Sequence, residues 1–193
     1  MDFIKFVKAD LKEYGVKYYL PRTKKIKCDG VLVSGYFDDT VPVLACAMKN
    51  EQAYEVLVHE YCHFTQWRDQ CKPWVMAVKH KAFEGLWDFL GGAEVKNINR
   101  LLSLCRDVEE DNERRAVALI KKMQLDIDID YYIKKANAYI HFYNWMKTSR
   151  RWCRPYNTPY TNKRLLDAMP TTFSESYTVL PAHIKQIFKE EDI

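Results

Sequence analysis

The sequence lacks any apolar run that approaches the roughly 20 residues a membrane-spanning helix needs. Its first segment also lacks the apolar core of a secretory signal, because Lys5, Lys8 and Asp10 interrupt the apolar residues every few positions. We therefore expect no membrane association and a cytoplasmic location, where cysteine thiols stay reduced.

Glycine and proline are scarce, with 6 and 7 residues among 193, and no low-complexity linker or fixed-period repeat divides the chain. This favours a single domain over residues 1–193. The six cysteines include no CxxC pair, which is typical of free thiols and not of a disulfide framework. The net charge is also small: 30 basic and 26 acidic residues leave a formal +4, too little to require a nucleic-acid partner.

The first quarter of the chain shows a strand-like pattern. After a short amphipathic helix that Gly15 ends, apolar runs separated by turn signals predict a small sheet. Because Pro42 cannot donate to a ladder, we expect the last strand to lie at a sheet edge. The predicted strands lie in Val16–Leu20, Ile26–Cys28, Val31–Val33 and Val41–Met48, with turns at Asp29-Gly30, Ser34-Gly35 and Asp38-Asp39.

From Asn50 onward the apolar residues recur at helical spacing almost to the end. A small N-terminal β-sheet followed by packed helices is an α+β architecture. The predicted helices are one of about 17 residues that includes Ala53 to Thr65, then Val75–Leu90, Ala93 or Asn99 to Met123, Ile129–Thr148, Lys163–Ala168 and Pro181–Glu190.

The helix that begins near Gln52 contains the motif HExxH, formed by His59, Glu60 and His63. Two histidines four residues apart share one helix face, so both imidazoles can bind one zinc ion, and Glu60 can polarise a water bound to it. The alternative is that the three are ordinary helix residues. Apolar residues on both sides of the motif argue for a buried helix, however, and a buried His-Glu-His group needs partners that a metal supplies.

A catalytic zinc ion requires a third protein ligand, and the acidic run from Asp107 to Glu113 offers several carboxylates. At about 100° per residue, Glu109 lies about 60° from the centre of the apolar stripe of its helix, Glu113 about 100° and Glu110 about 160°. Glu109 is therefore the best-placed ligand, with Glu110 and Glu113 as alternatives. Glu113 shares the side of Glu109 and could accept a hydrogen bond from a ligand histidine.

HExxH followed by a glutamate on a later helix resembles the gluzincin branch of zinc metallopeptidases. The stretch from Glu109 to Ala116 is similar to the ExxA glutamate helix of small gluzincins and of metallopeptidases encoded by bacteriophages. The resemblance implies a zincin-like fold and a zinc metallopeptidase that acts on a peptide or protein substrate. It makes His59, His63 and Glu109 the zinc ligands and Glu60 the general base. Glu113 would contact a zinc ligand without binding the metal itself. It also implies an edge strand that pairs antiparallel with substrate, a place that Val41–Met48 fills.

Two further assignments stay open in the sequence. A second function class is a non-catalytic protein that keeps the fold and binds protein or nucleic acid through the basic, aromatic segment 147–164. The favoured interpretation of that segment is a solvated loop. Nothing indicates an oligomeric state. The donor that stabilises the oxyanion is also undetermined, and the candidates are Tyr139, His141, Tyr143, Tyr156 and Tyr160.

Overall fold

The computed structural model describes residues 2–28 and 30–193, and in them five strands precede most of the helices. This confirms the mixed helix and sheet class predicted from the hydrophobic pattern. The chain forms two compact units, Met1–Cys71 with Arg114–Ile127, and Lys72–Glu113 with Asp128–Ile193. A single domain over residues 1–193 stays a prediction.

The first unit opens with helix α1, Phe3–Glu13. The carboxylate of Asp2 caps it by accepting a hydrogen bond from the Lys5 N–H at 3.2 Å. Gly15, at φ +69°, follows the helix and turns the chain into the sheet, as predicted. The strands are β1 Lys17–Tyr19, β2 Ile26–Cys28, β3 Val31–Val33, β4 Gly35–Asp38 and β5 Val43–Cys46.

Strands β1, β5 and β4 form one sheet in that order, with β5 parallel to β1 and antiparallel to β4. Strands β2 and β3 pair as a separate antiparallel hairpin, with Ile26 opposite Val33. Ile26 and Val33 pack against Ala45 and Ala47, which attaches the hairpin to the sheet. Of the turn predicted at Asp29-Gly30, Asp29 lies outside the described residues.

The predicted edge position of Val41–Met48 is wrong, because β5 is the central strand of its sheet. Pro42 precedes the ladder, so its missing N–H costs no strand pairing, and its carbonyl accepts a hydrogen bond from the Lys17 N–H at 2.9 Å. Strand β4 was not predicted, since its ends at Gly35 and Asp38 are residue types typical of turns. The outer strands of this sheet are β1 and β4.

Helix α2, Ala53–Asp69, carries the HExxH motif and packs against β4 and β5. Its 17 residues match the predicted length. Leu57, Val58 and Phe64 are fully buried, which fixes the helix against the sheet and sets the direction of the motif side chains. Gln70, in the left-handed conformation at φ 48°, ends the helix. The residues of α5 from Arg114 to Met123 complete this unit.

The second unit is helical, and its elements are α3 Lys72–Lys79, α4 Ala82–Leu90, the residues of α5 (Ile98–Met123) up to Glu113, α6 Ile129–Ser149, α7 Lys163–Asp167 and α8 Ala182–Glu190. The single helix predicted over Val75–Leu90 is wrong. Lys81 adopts φ 52°, a left-handed conformation that breaks the helix into α3 and α4. Helix α5 starts next to the predicted Asn99 and not at the alternative, Ala93, and the other bounds of α5 to α8 agree with the prediction to within about two residues. Among the described residues, no helix is long and apolar enough to cross a bilayer.

Candidate metal centre

His59 and His63 lie one turn apart on α2 and point their rings at a common position. Their Nε2 atoms are 3.1 Å apart, and their ring planes are nearly perpendicular, at 87° with centroids 4.7 Å apart. Both side chains are half-buried, so they remain reachable from solvent. This is the convergence that the four-residue spacing predicts.

Gln66 orients one of these rings. His63 Nδ1 lies 2.9 Å from Gln66 Oε1, and the amide is fully buried. An Nδ1–H that donates to this oxygen leaves the lone pair of His63 on Nε2, the nitrogen that faces His59. Gln66 was not predicted as part of the site, although its position three residues after His63 places it on the same helix face.

The donor set suits a divalent metal ion. One ligand atom from each of His59, His63 and Glu109 lies within 4.8 Å of the other two. Two zinc–nitrogen bonds of about 2.0–2.1 Å at a tetrahedral angle place their nitrogens about 3.3 Å apart, close to the 3.1 Å between the two Nε2 atoms. A His-His-Glu group of this size can therefore hold a metal ion, and two imidazoles with a carboxylate are a common ligand set of catalytic zinc.

Tyr143 holds the carboxylate of Glu109, and Tyr139 in turn contacts Tyr143. Glu109 is only 7% exposed, and Tyr143 donates its hydroxyl hydrogen to Glu109 Oε1 at 3.2 Å. The hydroxyl of Tyr139 lies 3.3 Å from that of Tyr143. Burial and the negative charge of Glu109 raise the pKa of both phenols well above the usual value, so both keep their protons and can donate.

The two alternative carboxylates have different surroundings. Glu113 is 5% exposed, and its Oε2 accepts a hydrogen bond from the hydroxyl of Tyr132 at 2.7 Å. Glu110 is only half-buried. The group of converging ligand atoms among the described residues includes Glu109 and neither of the other two. Glu109 as the third ligand is thus favoured, and a hydrogen bond from a ligand histidine to Glu113 stays a prediction.

Glu60 lies beside the start of the outer strand β4. A Cβ atom added to Gly35 would be 3.0 Å from Glu60 Cγ and 2.6 Å from Val56 Cγ1, so strand and helix touch here only because residue 35 has no side chain. Burial, and then the negative charge of Glu60, raise the pKa of the Cys46 thiol to about 12. Glu60 itself is half-buried and therefore accessible to water.

The five oxyanion candidates fall into distinct environments within the second unit. Tyr139 and Tyr143 form the pair on Glu109, and the ring of Tyr160 packs edge-on against Tyr139 at 6.0 Å. His141 is buried against the ring of Tyr177. Tyr156 is 78% exposed and accepts a hydrogen bond from Arg154 at 3.0 Å. These positions bring Tyr139 and Tyr143 next to a candidate ligand, and the oxyanion role stays a prediction.

Most of the basic side chains in segment 147–164 contact acceptors within their own unit. The C-terminal turn supplies three of the carboxylates, and main-chain carbonyls bind one arginine. Intramolecular pairing of this kind is typical of a solvated structural surface. The contacts are Arg151 and Arg154 with Asp192, Arg164 with Glu190 and Glu191, Lys163 with Asp167, and Arg150 with the carbonyls of Phe89 and Ala93.

A comparison of the chain with protein-family models, curated proteins and solved structures finds no match.

Proposed function

We propose that this chain is a zinc-dependent peptidase. The observation that carries the proposal is the convergence of His59, His63 and Glu109 on one position, with Glu60 next to the first histidine on the same helix. A structural metal site is usually closed by four protein ligands, whereas three ligands and a neighbouring carboxylate are typical of a hydrolytic site. The resemblance to gluzincins supports the same assignment.

Each residue then has a defined task. His59, His63 and Glu109 would hold zinc, which when bound lowers the pKa of a water molecule and polarises the carbonyl group of the peptide bond to be cleaved. Glu60 accepts a proton from the water molecule as the water oxygen attacks the carbonyl carbon. Glu60 next delivers that proton to the amine nitrogen as the C–N bond breaks, so the carboxylate returns to its starting state.

The outer strand β4 supports a peptide as the substrate. It ends its sheet, and its first residue, Gly35, touches Glu60. An extended peptide can add to such an edge through main-chain hydrogen bonds, which would bring a peptide bond close to the proposed base. This gives β4 the substrate-binding role that the sequence analysis assigned to Val41–Met48.

The proposal is tested by the Glu60→Gln variant, which removes the base and keeps the side chain's shape. We expect purified wild type to bind about one equivalent of zinc by elemental analysis and to cleave casein or a mixed peptide library. Glu60→Gln should keep the zinc and lose at least about 100-fold in kcat/KM. Glu51→Gln makes the same change at an exposed residue just before α2 and should keep full activity. Full activity of zinc-loaded Glu60→Gln would overturn the assignment of the base.

A further inference from the structure

The region before β4 carries a strong positive charge. From Tyr14 to Cys28 the sequence has no acidic residue, and it has five basic ones, all exposed. These are Lys17, Arg22, Lys24, Lys25 and Lys27. A cluster of this kind attracts anionic groups on a binding partner.

Lys25 brings this charge to the start of the proposed substrate strand. Its ammonium group donates a hydrogen bond to Ser34 Oγ at 2.9 Å. Ser34 is itself held in place, because its carbonyl accepts from the Ala47 N–H at 2.8 Å and its hydroxyl from the Asn50 amide at 3.2 Å. Ser34 immediately precedes Gly35, the residue against Glu60. The ammonium of Lys25 therefore contacts the residue that immediately precedes the one against the proposed base.

The other end of β4 carries the opposite charge. Asp38 and Asp39 follow one another there, and Asp38 accepts hydrogen bonds from the N–H and hydroxyl of Thr40 at 2.8 and 2.7 Å. Although partial burial opposes it, this hydrogen bonding holds the pKa of Asp38 below its usual value, so the carboxylate is charged at neutral pH. The strand thus runs from a cation at its start to anions at its end.

This polarity matches a peptide that pairs antiparallel with β4. The carboxyl-terminal part of such a peptide faces the start of the strand, and its amino-terminal part faces Asp38 and Asp39. We propose that Lys25 is a specificity-determining residue that binds a carboxylate on the carboxyl side of the bond to be cleaved. The carboxylate is either an acidic side chain or the free C-terminus of the peptide. This inference rests on the proposed peptidase function and names the substrate class of the same site.

The test compares charge-reversal variants on matched peptides. Zinc-loaded wild type, Lys25→Glu and Lys24→Glu are given peptides that differ only as Glu or Gln at each position after the cleaved bond, with free or amidated C-termini. Lys24 is an exposed neighbour with the same charge, so it controls for the net charge of the region. We expect wild type to prefer the carboxylate about fivefold in kcat/KM, and more weakly at high salt.

Lys25→Glu should lower the ratio of Glu to Gln cleavage at least tenfold, while Lys24→Glu changes it less than twofold. If the preference depends on a free C-terminus, the α-carboxylate is the group that Lys25 binds. If it depends on Glu in place of Gln, the side-chain carboxylate is that group. Fluorescence anisotropy with Glu60→Gln measures the same preference as binding, without turnover. Cleavage or binding with no Lys25-dependent preference overturns this inference alone. A zinc-loaded wild type that cleaves none of the peptides overturns the proposed function and this inference with it.

Discussion

Tyr143 donates its phenolic hydrogen to Oε1 of Glu109 at 3.2 Å, from a position 34 residues further along the chain. Both side chains are less than a tenth exposed. Because one carboxylate oxygen accepts from a buried phenol, the orientation of the carboxylate is defined before any metal binds. Residues in this position behind a ligand commonly account for 10- to 100-fold in metal affinity.

Removing this hydroxyl should therefore weaken the metal site. We expect Tyr143→Phe to lower zinc affinity about tenfold in a competition titration with a chelator. The free energy of unfolding of the metal-free protein should fall by about 1–2 kcal/mol, because the hydrogen bonds of this hydroxyl with Glu109 and with Tyr139 are both lost.

Tyr132→Phe is the matched control, since it removes the hydrogen bond from a buried phenol to the neighbouring carboxylate, Glu113, at 2.7 Å. It should reduce stability to a similar extent and leave zinc affinity within about twofold. The reverse pattern, with Tyr132→Phe weakening zinc and Tyr143→Phe neutral, would exclude Glu109 as the third ligand and favour Glu113.

The contact between Gly35 and α2 predicts that this glycine positions Glu60. In Gly35→Ala the new methyl group would be 2.6 Å from Val56 Cγ1, 3.0 Å from Glu60 Cγ and 3.1 Å from the carbonyl of Ala45. Relief of this overlap should cost about 1–3 kcal/mol in the free energy of unfolding and displace the Glu60 side chain. We expect kcat to fall at least tenfold while the zinc content, measured by elemental analysis, is retained.

Gly91→Ala offers a control of the same size. Its added methyl group would have contacts no closer than 3.3 Å, and its φ of −71° suits alanine. This variant should keep wild-type kcat and stability within about 1 kcal/mol. Unchanged kcat in a folded Gly35→Ala protein would show that the approach of β4 does not position the base.

Local patterns predicted the helices well, because apolar periodicity and end signals act over a few residues. Gly15 ends α1 as expected, and the bounds of β2 and β3 agree residue for residue. Where the prediction failed, tertiary structure overrode local preference. Lys81 breaks a continuous apolar pattern by adopting a left-handed conformation that lysine rarely favours. Gly35 lies in a strand although glycine is typical of turns, and α2 leaves no room for a side chain at that position.

In the candidate site, too, local spacing was predictable and contacts between helices were not. His59 and His63 are four residues apart, so spacing alone predicted that they share one helix face, with Glu60 next to His59 in the sequence. Glu109 could be ranked above Glu110 and Glu113 because helix geometry is regular. Tyr143 was among the candidate donors but with another role, since nothing in the sequence connects it with a carboxylate on a different helix. Such pairings depend on how helices pack, which a single sequence does not encode locally.

The buried histidine on α6 predicts a loss of stability in mild acid. His141 is 5% exposed, its ring packs on Tyr177 with centroids 5.1 Å apart, and its Nδ1 has no hydrogen-bond partner among the described residues. Burial, reinforced by the positive charges of Arg106 and His183, lowers its pKa from 6.5 to about 4. Between these two pKa values the unfolded chain binds a proton at His141 that the folded protein does not. The contribution of His141 to the free energy of unfolding is therefore fully present above pH 6.5 and is lost as the pH falls towards 4.

A shift of this size corresponds to about 3 kcal/mol of unfolding free energy, lost between pH 6.5 and 4. We expect His141→Phe, which keeps an aromatic ring against Tyr177, to lack most of this decrease when metal-free protein is unfolded with urea at a series of pH values. The other four histidines are present in both proteins, so the difference between the two pH profiles reports on position 141. His80→Gln, at a half-buried site after α3, should retain the full wild-type decrease. Equal pH dependence of His141→Phe and wild type would show that the ring is protonated in the folded protein without cost.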